Sequence, residues 1–475
     1  MQYNAYNCIS EGAVFNLLDH LKPTSHGSDF LPFWLLKVAA CSFAKLITTL
    51  FNLSLCSAVI PTQWKKAIIT PIPKVPSPTT CSDFRPISLT PILSRLLDKM
   101  VVRYFLYPIF QDPSYSHLFN DQYAFRPTGS TDGALISILH HVTLLLASNP
   151  YVRLIALDFS KAFDTVRHSS ILSKLSTLPV DDVFYNWCVD YFVGHSHITK
   201  FQQCTSVSAS INASVFQGSA VGPPLFVVNG TDLRPIHNLN FLDKFADDTY
   251  LIVPACNDHT IASELQSIER WSNLNNLKLN KDKSQELIIF SSKRKNVNTV
   301  AASPNIERVD SLKMLGVTFD SNLSVSTHVS NVCQTAAQSL YAVKLLSSKG
   351  LNSVSSRDVC CATVVSRLVY ASPAWWGYTT AEDRQRLQAI LNRAVRWGYY
   401  GKDDPTVEQI CNKRDRDLFT KVIRNPVHVL HHLLPPARDT PYNLRARGHQ
   451  FTLPDKRSPF TDKNFFCRLL YQNNA

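Results

Sequence analysis

The chain has 475 residues, 45% of them hydrophobic and 18% charged, with 48 Lys and Arg against 36 Asp and Glu, a formal charge of +12. These proportions exclude an intrinsically disordered chain and leave room for two or three packed units. The basic excess suits a polyanionic partner whose phosphates it can neutralise, although it would serve solubility equally well.

In chain order, Leu17, Leu18 and Leu21 form a short helical patch that breaks at Pro23-Thr24-Ser25-His26-Gly27. A longer helix is predicted over Phe33–Leu53. The most apolar stretch, Phe30–Ile60, is interrupted by Lys37 and Lys45, so it reads as packed helices, with no membrane partner expected. Pro61–Pro86 is too rich in proline for a helix interior and must be strand edge or extended loop. Ile92–Tyr107 and Thr131–Leu146 return to helical spacing.

A strand ending at Asp158, a helix over Ser160–Leu175 and a hairpin within 198–215 follow. Next come a helix over 260–274, a strand at Glu286–Phe290 and a hairpin arm at Leu312–Phe319. Beyond Ser324 the pattern is helical, over 326–347, 355–371 and 381–397. Strands give out near 320, and Gly401-Lys402-Asp403-Asp404-Pro405 opens a basic tail. From Glu382 to Ala475 there are 17 Lys and Arg against 10 Asp and Glu.

Twelve cysteines are scattered with no C-x-x-C spacing, which supports neither a zinc site nor a disulfide framework. Reduced thiols in nucleus and cytoplasm are the simplest expectation, and residues 1–20 lack the order of a signal peptide. His140-His141, His195 with His197, and His431-His432 lack partners at ligand spacing, so no metal is assigned to them. The basic loop Ser291–Asn296 is either a nuclear address or a solvated turn.

The chemistry concentrates in Phe245-Ala246-Asp247-Asp248, two adjacent carboxylates between strand-like runs, and in Asp158 at the end of Val152-Arg153-Leu154-Ile155-Ala156-Leu157. Adjacent like charges repel, so a chain that presents them at a hairpin tip has either a solvated turn or a cation to hold. Three Asp at strand ends suit a two-metal phosphoryl-transfer site with hard oxygen ligands.

Seven blocks stand in a telling order. Ser82-Asp83-Phe84-Arg85-Pro86-Ile87-Ser88-Leu89 comes first, then Asp121-Gln122-Tyr123-Ala124-Phe125-Arg126-Pro127, then the run from Ala156 to Val166. Gln217-Gly218-Ser219-Ala220-Val221-Gly222-Pro223, the carboxylate hairpin, Leu279-Asn280-Lys281-Asp282-Lys283-Ser284 and Leu315-Gly316-Val317 complete the set. The sequence resembles the reverse transcriptases of non-LTR, jockey-like retrotransposons.

That resemblance implies an α+β right-hand polymerase with mostly helical fingers, a ferredoxin-like palm sheet and a helical thumb. The expected division is 1–60 as a helical extension of the fingers, 61–320 as the reverse transcriptase domain, 321–400 as thumb and 401–475 as tail. It implies RNA-directed DNA synthesis, with an RNA template, a DNA primer, dNTPs and two Mg²⁺, Mn²⁺ being the other option. A catalytically inert nucleic-acid-binding remnant is the alternative. Endonuclease activity would have to come from another chain or a missing N-terminal part.

By the same resemblance Asp158, Asp247 and Asp248 hold the metals, Asp248 being either a ligand or a structural support of the turn. Phe163 gates against a ribose 2′-hydroxyl or is a core aromatic, and Gln217 and Gly218 lie under the incoming nucleotide. Lys74, Arg85 and Arg126 cover the triphosphate. Lys283 protonates the leaving pyrophosphate or is a surface lysine between a helix and a strand. The family usually has Pro where Phe216 stands and Gly where Ser214 stands. Arg386, Arg393 and Arg396 would face a duplex backbone from the thumb, with Trp375 and Trp376 in its core.

Overall fold

The computed structural model describes residues 9–27, 29–216, 218–291, 300–438, 449–455 and 459–472. Gln217 and the centre of the 291–296 basic loop therefore lie outside the described residues.

The chain begins with helices α1 (Glu11–Asp19), α2 (Phe33–Val38) and α3 (Ala40–Ser57), the predicted long helix being broken at Ala39. α3 is long and apolar enough by length and composition to cross a membrane, a test that core helices also pass; its Ala44, Ile47, Phe51 and Leu55 are buried. The Pro-rich stretch forms β1 (Lys66–Pro73) and β2 (Phe84–Leu89), followed by α4 (Ile92–Val101), α5 (Tyr107–Gln111) and α6 (Thr131–Leu146).

Next come β3 (Tyr151–Phe159), α7 (Ala162–Thr165), α8 (His168–Leu175) and α9 (Asp182–Tyr191), then the short strands β4 (Ser196–Phe201), β5 (Cys204–Thr205) and β6 (Ala209–Ser210). α10 (Gly222–Asn229), β7 (Phe241–Phe245), β8 (Asp248–Pro254), α11 (Ile261–Leu274), β9 (Leu279–Phe290), β10 (Glu307–Arg308), β11 (Ser311–Met314) and β12 (Val317–Asp320) follow. The rest is helical: α12 (Ser326–Ser348), α13 (Ser353–Cys360), α14 (Ser366–Leu368), α15 (Ser372–Trp375), α16 (Ala381–Arg396), α17 (Val407–Arg424) and α18 (Phe465–Gln472).

The central sheet has the order β10-β9-β3-β8-β7. β3 is antiparallel to β8 and β9, and β7 is antiparallel to β8. Taken in chain order, β3, β7, β8 and β9 with their intervening helices make the βαββαβ unit of a ferredoxin-like sheet. β3 is apolar along nearly its whole length because both its faces are covered. Val152 and Leu154 join one core with α6 and the C-terminal helices, whereas Ile155, Leu157 and Phe159 join the other. Arg153 is the exception, buried in an ion-pair network with Glu286 and Asp258.

A second sheet, β2-β1-β4-β5 with β6 on β4, forms the fingers together with the N-terminal helices. These fingers thus draw strands from 196–210 as well as from the first 150 residues. α6 leaves them to pack beneath the central sheet, where its buried residues contact β7 and β8.

Two expected boundaries change. Strands do end at Asp320, but the core beneath the palm runs on without a break into α12 and α16. Residues after 401 are no separate tail among those described. Val407, Cys411, Phe419 and Val422 of α17 and Phe465, Phe466, Leu469 and Leu470 of α18 are buried in that same core. Pro405 precedes a helix start here: Thr406 and Gln409 form a capping box that satisfies the first backbone donors of α17.

Candidate active site

Asp158 and the Asp247-Asp248 pair are brought together by strand register. Leu157 of β3 lies opposite Thr249 of β8, so Asp158 and Asp248 occupy the next position along the two strands. Alternation puts them on one face, the face of Leu154 and Tyr250. β7 and β8 are joined by the tightest of hairpins: Phe245 pairs with Asp248, leaving Ala246 and Asp247 as the turn.

The three carboxylates feel one another. Partial burial and the neighbouring Asp158 hold the Asp247 carboxyl above the usual carboxylate range. Loss of hydration to the surrounding protein, then Asp247 and Asp158, push Asp248 up to about 6, although its side chain is exposed. A divalent cation would relieve this repulsion, and the donor set is all hard oxygen, so the residues fit Mg²⁺ or Mn²⁺. Among the described residues no three acidic, His or Cys groups are drawn tightly enough to hold a metal as they stand.

Lys283 lies in a disturbance of β9. Ala156 pairs with Gln285 and Asp158 with Asn280, so 281–284 form extra residues opposite Leu157. The Asp158 backbone N–H donates to Ser284 Oγ at 3.2 Å. Lys283 is exposed within this strand, which corrects its expected place between a helix and a strand.

The predicted helix over Ser160–Leu175 is two, α7 and α8, and Phe163 sits on the first. Its half-buried ring stacks on Phe226 of α10 at 4.5 Å and meets Phe125 edge-on at 6.2 Å. Its carbonyl accepts from the Val215 N–H at 2.7 Å.

Gly218 has φ +122°, and a Cβ there would stand 2.3 Å from the Ser88 carbonyl oxygen. Only glycine lets this loop lie against β2. Behind it, Asp98 is fully buried on α4 and accepts from Ser219 Oγ at 2.8 Å and the Ala220 N–H at 3.2 Å. Burial pushes the Asp98 carboxyl up to about 6 despite these bonds. Ser214 has φ +104°, which shows why glycine is the ordinary residue there. Phe216 is buried and stacks on His195 at 4.0 Å.

Among the expected phosphate ligands, Arg85 is exposed on β2. Lys74 is exposed at the end of the hairpin, where its Nζ donates to the Ser82 carbonyl at 3.0 Å. Arg126 corrects the expectation. Its guanidinium is buried and donates to the carbonyls of Phe119, Gln122 at 3.1 Å and Phe110 at 3.2 Å. Loss of hydration lowers its pKa to about 10, and its Nη1 and Nη2 groups are taken up by these carbonyls.

Sequence reasoning missed the polar contacts that hold β7. Asp243 accepts from Ser137 at 3.2 Å and pairs with His141 at 3.0 Å, both on α6. His141 therefore has a carboxylate partner, remote in sequence. Lys244 is buried and reaches Asp121 at 2.9 Å and the Gly230 carbonyl at 2.7 Å. The thumb arginines divide: Arg386 donates to Ser330 at 2.8 Å, whereas Arg396 is exposed. Trp375 and Trp376 are core residues.

A ferredoxin-like sheet with three acids at the ends of its strands, a second sheet in the fingers and a helical C-terminal unit is the α+β architecture of a right-hand polymerase. The sequence profile described as "Reverse transcriptase (RNA-dependent DNA polymerase)" matches residues 72–319. The chain belongs to that family.

It is similar to the "Probable RNA-directed DNA polymerase from transposon X-element" of Drosophila melanogaster, 26% identical over 368 residues, covering 74% of this chain and 39% of that protein. The "RNA-directed DNA polymerase from mobile element jockey" of the same organism is 25% identical, covering 65% of this chain and 34% of that one. The chain thus spans less than half the length of these relatives. Of solved structures, apo telomerase from Candida tropicalis aligns with 82% of this chain and 72% of its own at 12% identity and a TM-score of 0.39.

Proposed function

We propose that the chain is an RNA-directed DNA polymerase of a non-LTR retrotransposon, extending a primer 3′-end with dNTPs on an RNA template. The observation that carries this is the register of β3 against β8, which sets Asp158 beside Asp248 with Asp247 in the adjoining turn.

Asp158 and Asp247, with Asp248, would hold two divalent cations, Mg²⁺ or Mn²⁺. Such ions polarise the primer hydroxyl and neutralise the leaving pyrophosphate. The protein's own part is positioning. Gly218 and the Phe163 ring form the bed of the nucleotide, Gln217 has the role of an amide donor to it, and Arg85, with Lys74 in a supporting place, supplies positive charge to its phosphates. Lys283, exposed beside Ser284, is the proton donor for pyrophosphate. The primer and the nick that exposes it come from target DNA, the nick being made by a part of a longer protein or by another chain.

Extension of an oligo(dT) primer on poly(rA) with Mg²⁺ tests this. The wild-type chain should extend the primer, and Asp247→Asn should abolish extension. Absence of extension by the wild type under Mg²⁺ and Mn²⁺ would favour an inert nucleic-acid-binding remnant.

A further inference from the structure

The block Asp121–Pro127 runs beside β7 of the carboxylate hairpin. Within it, Gln122 is nearly fully buried and lies against the carboxylate turn. Its Oε1 accepts from the Ala246 N–H at 3.0 Å, and its Nε2 faces the Ala246 carbonyl at 3.4 Å. The same Oε1 also accepts from the Ala124 N–H at 3.0 Å. One side-chain amide thus meets both backbone polar groups of the residue immediately before Asp247.

Ala246 needs such a partner. Its φ is +59°, a left-handed conformation that is strained for any residue with a Cβ. A two-residue hairpin of this kind is ordinarily filled by Gly, Asn or Asp at that position. Strained backbone persists only where its surroundings over-determine it.

The surroundings here are layered. Asp121 and Tyr123 flank Gln122 and bind β7 through the backbone: the Lys244 N–H donates to the Asp121 carbonyl at 2.6 Å, and the Tyr123 N–H donates to the Lys244 carbonyl at 2.9 Å. Arg126 in turn donates to the Gln122 carbonyl.

We propose that Gln122 is a positioning residue of the catalytic turn, holding Ala246 in its left-handed conformation so that Asp247 is aimed at the metal site, with Arg126 bracing Gln122 from behind. The inference rests on the polymerase reading for its consequence, though not for its geometry.

Two readouts separate them, both on the full chain. In Gln122→Met, of similar length but without the amide, hydrogen exchange at the Ala246 amide should quicken about tenfold, the worth of one lost hydrogen bond. This reads the clamp whether or not the protein polymerises. In the primer-extension assay the same variant should lose about a hundredfold in the rate of nucleotide addition, as a displaced catalytic group does. It should also need more Mg²⁺ for half-maximal rate, with the dNTP KM little changed.

Adding Ala246→Gly to Gln122→Met should recover part of that rate, because glycine adopts positive φ unaided. Unchanged exchange at Ala246 in Gln122→Met overturns the clamp. Wild-type rate and Mg²⁺ dependence in that variant, or loss without rescue by Ala246→Gly, overturns its catalytic role. An inactive wild type would instead sink the polymerase reading and leave the exchange result to decide the clamp.

Discussion

Phe163 is one ring under two demands. Its stack on Phe226 and edge contact with Phe125 are what a core aromatic makes, yet it remains half-buried and sits five residues after Asp158. A ring fixed by packing on one side and open on the other is what exclusion of a 2′-hydroxyl requires. Phe163→Val should therefore raise ribonucleotide incorporation relative to dNTP incorporation, measured as the ratio of kcat/KM values, while deoxynucleotide addition persists. Unaltered discrimination would return the residue to a packing role. The acids of the site were legible in the sequence because Asp158 closes an apolar run and the Asp247-Asp248 pair stands between two strand-like runs. Gln122 was not, because its meaning is a hydrogen bond to a residue 124 positions away. Arg126 misled for the converse reason: exposure cannot be read from a charge beside a proline.

Among the elements, the palm strands and α11 were visible from periodicity, and β9 was seen only in part. Its first half, Leu279-Asn280-Lys281-Asp282-Lys283-Ser284-Gln285, is polar because it carries the irregularity opposite Leu157, so no alternation marks it as a strand. α4 shows how one element sets another through a single buried acid. Asp98 anchors Ser219 and Ala220, the residues that follow Gly218. Its carboxyl has an ordinary value of 3.8, raised to about 6 in the fold, so the fold favours the protonated form. Its stabilising contribution is then full at low pH and is lost as pH rises from about 4 to 6, by roughly 3 kcal/mol over that window. Both bonds fall on one oxygen, so Asp98→Asn keeps them without the titration. Thermal melts from pH 4 to pH 7 should show the variant gaining on the wild type as pH rises. A constant difference across that range would mean that Asp98 does not titrate there.

At the scale of the molecule, the palm is a sheet shared between two cores, one completed by the fingers and the N-terminal helices, the other by α6 and buried residues of the helices from α12 to α18. The site lies where the sheet's edge meets the second of these. The carboxylate hairpin therefore depends on α6, through Ser137 and His141, and α6 depends on the C-terminal helices that cover it. Thr128, just before α6, accepts from the Val429 N–H at 3.1 Å, and Asp132 in its first turn faces Arg414 at 3.8 Å. Phe419, Phe465, Phe466, Leu469 and Leu470 are buried in this layer, and at roughly 2 kcal/mol apiece they contribute about 10 kcal/mol. The conformational entropy released with the segment offsets part of this, but the α6 face left bare puts a net stability of about 5–15 kcal/mol at risk. A chain ending at Tyr400 should consequently lose its cooperative thermal transition and its primer extension together, even though every proposed catalytic residue is still present. If the residues after 400 were only a basic appendage, the shortened chain would melt within a few degrees of the full one. It would then lose mainly salt-sensitive affinity for nucleic acid, and circular dichroism melts beside a binding titration distinguish the two outcomes.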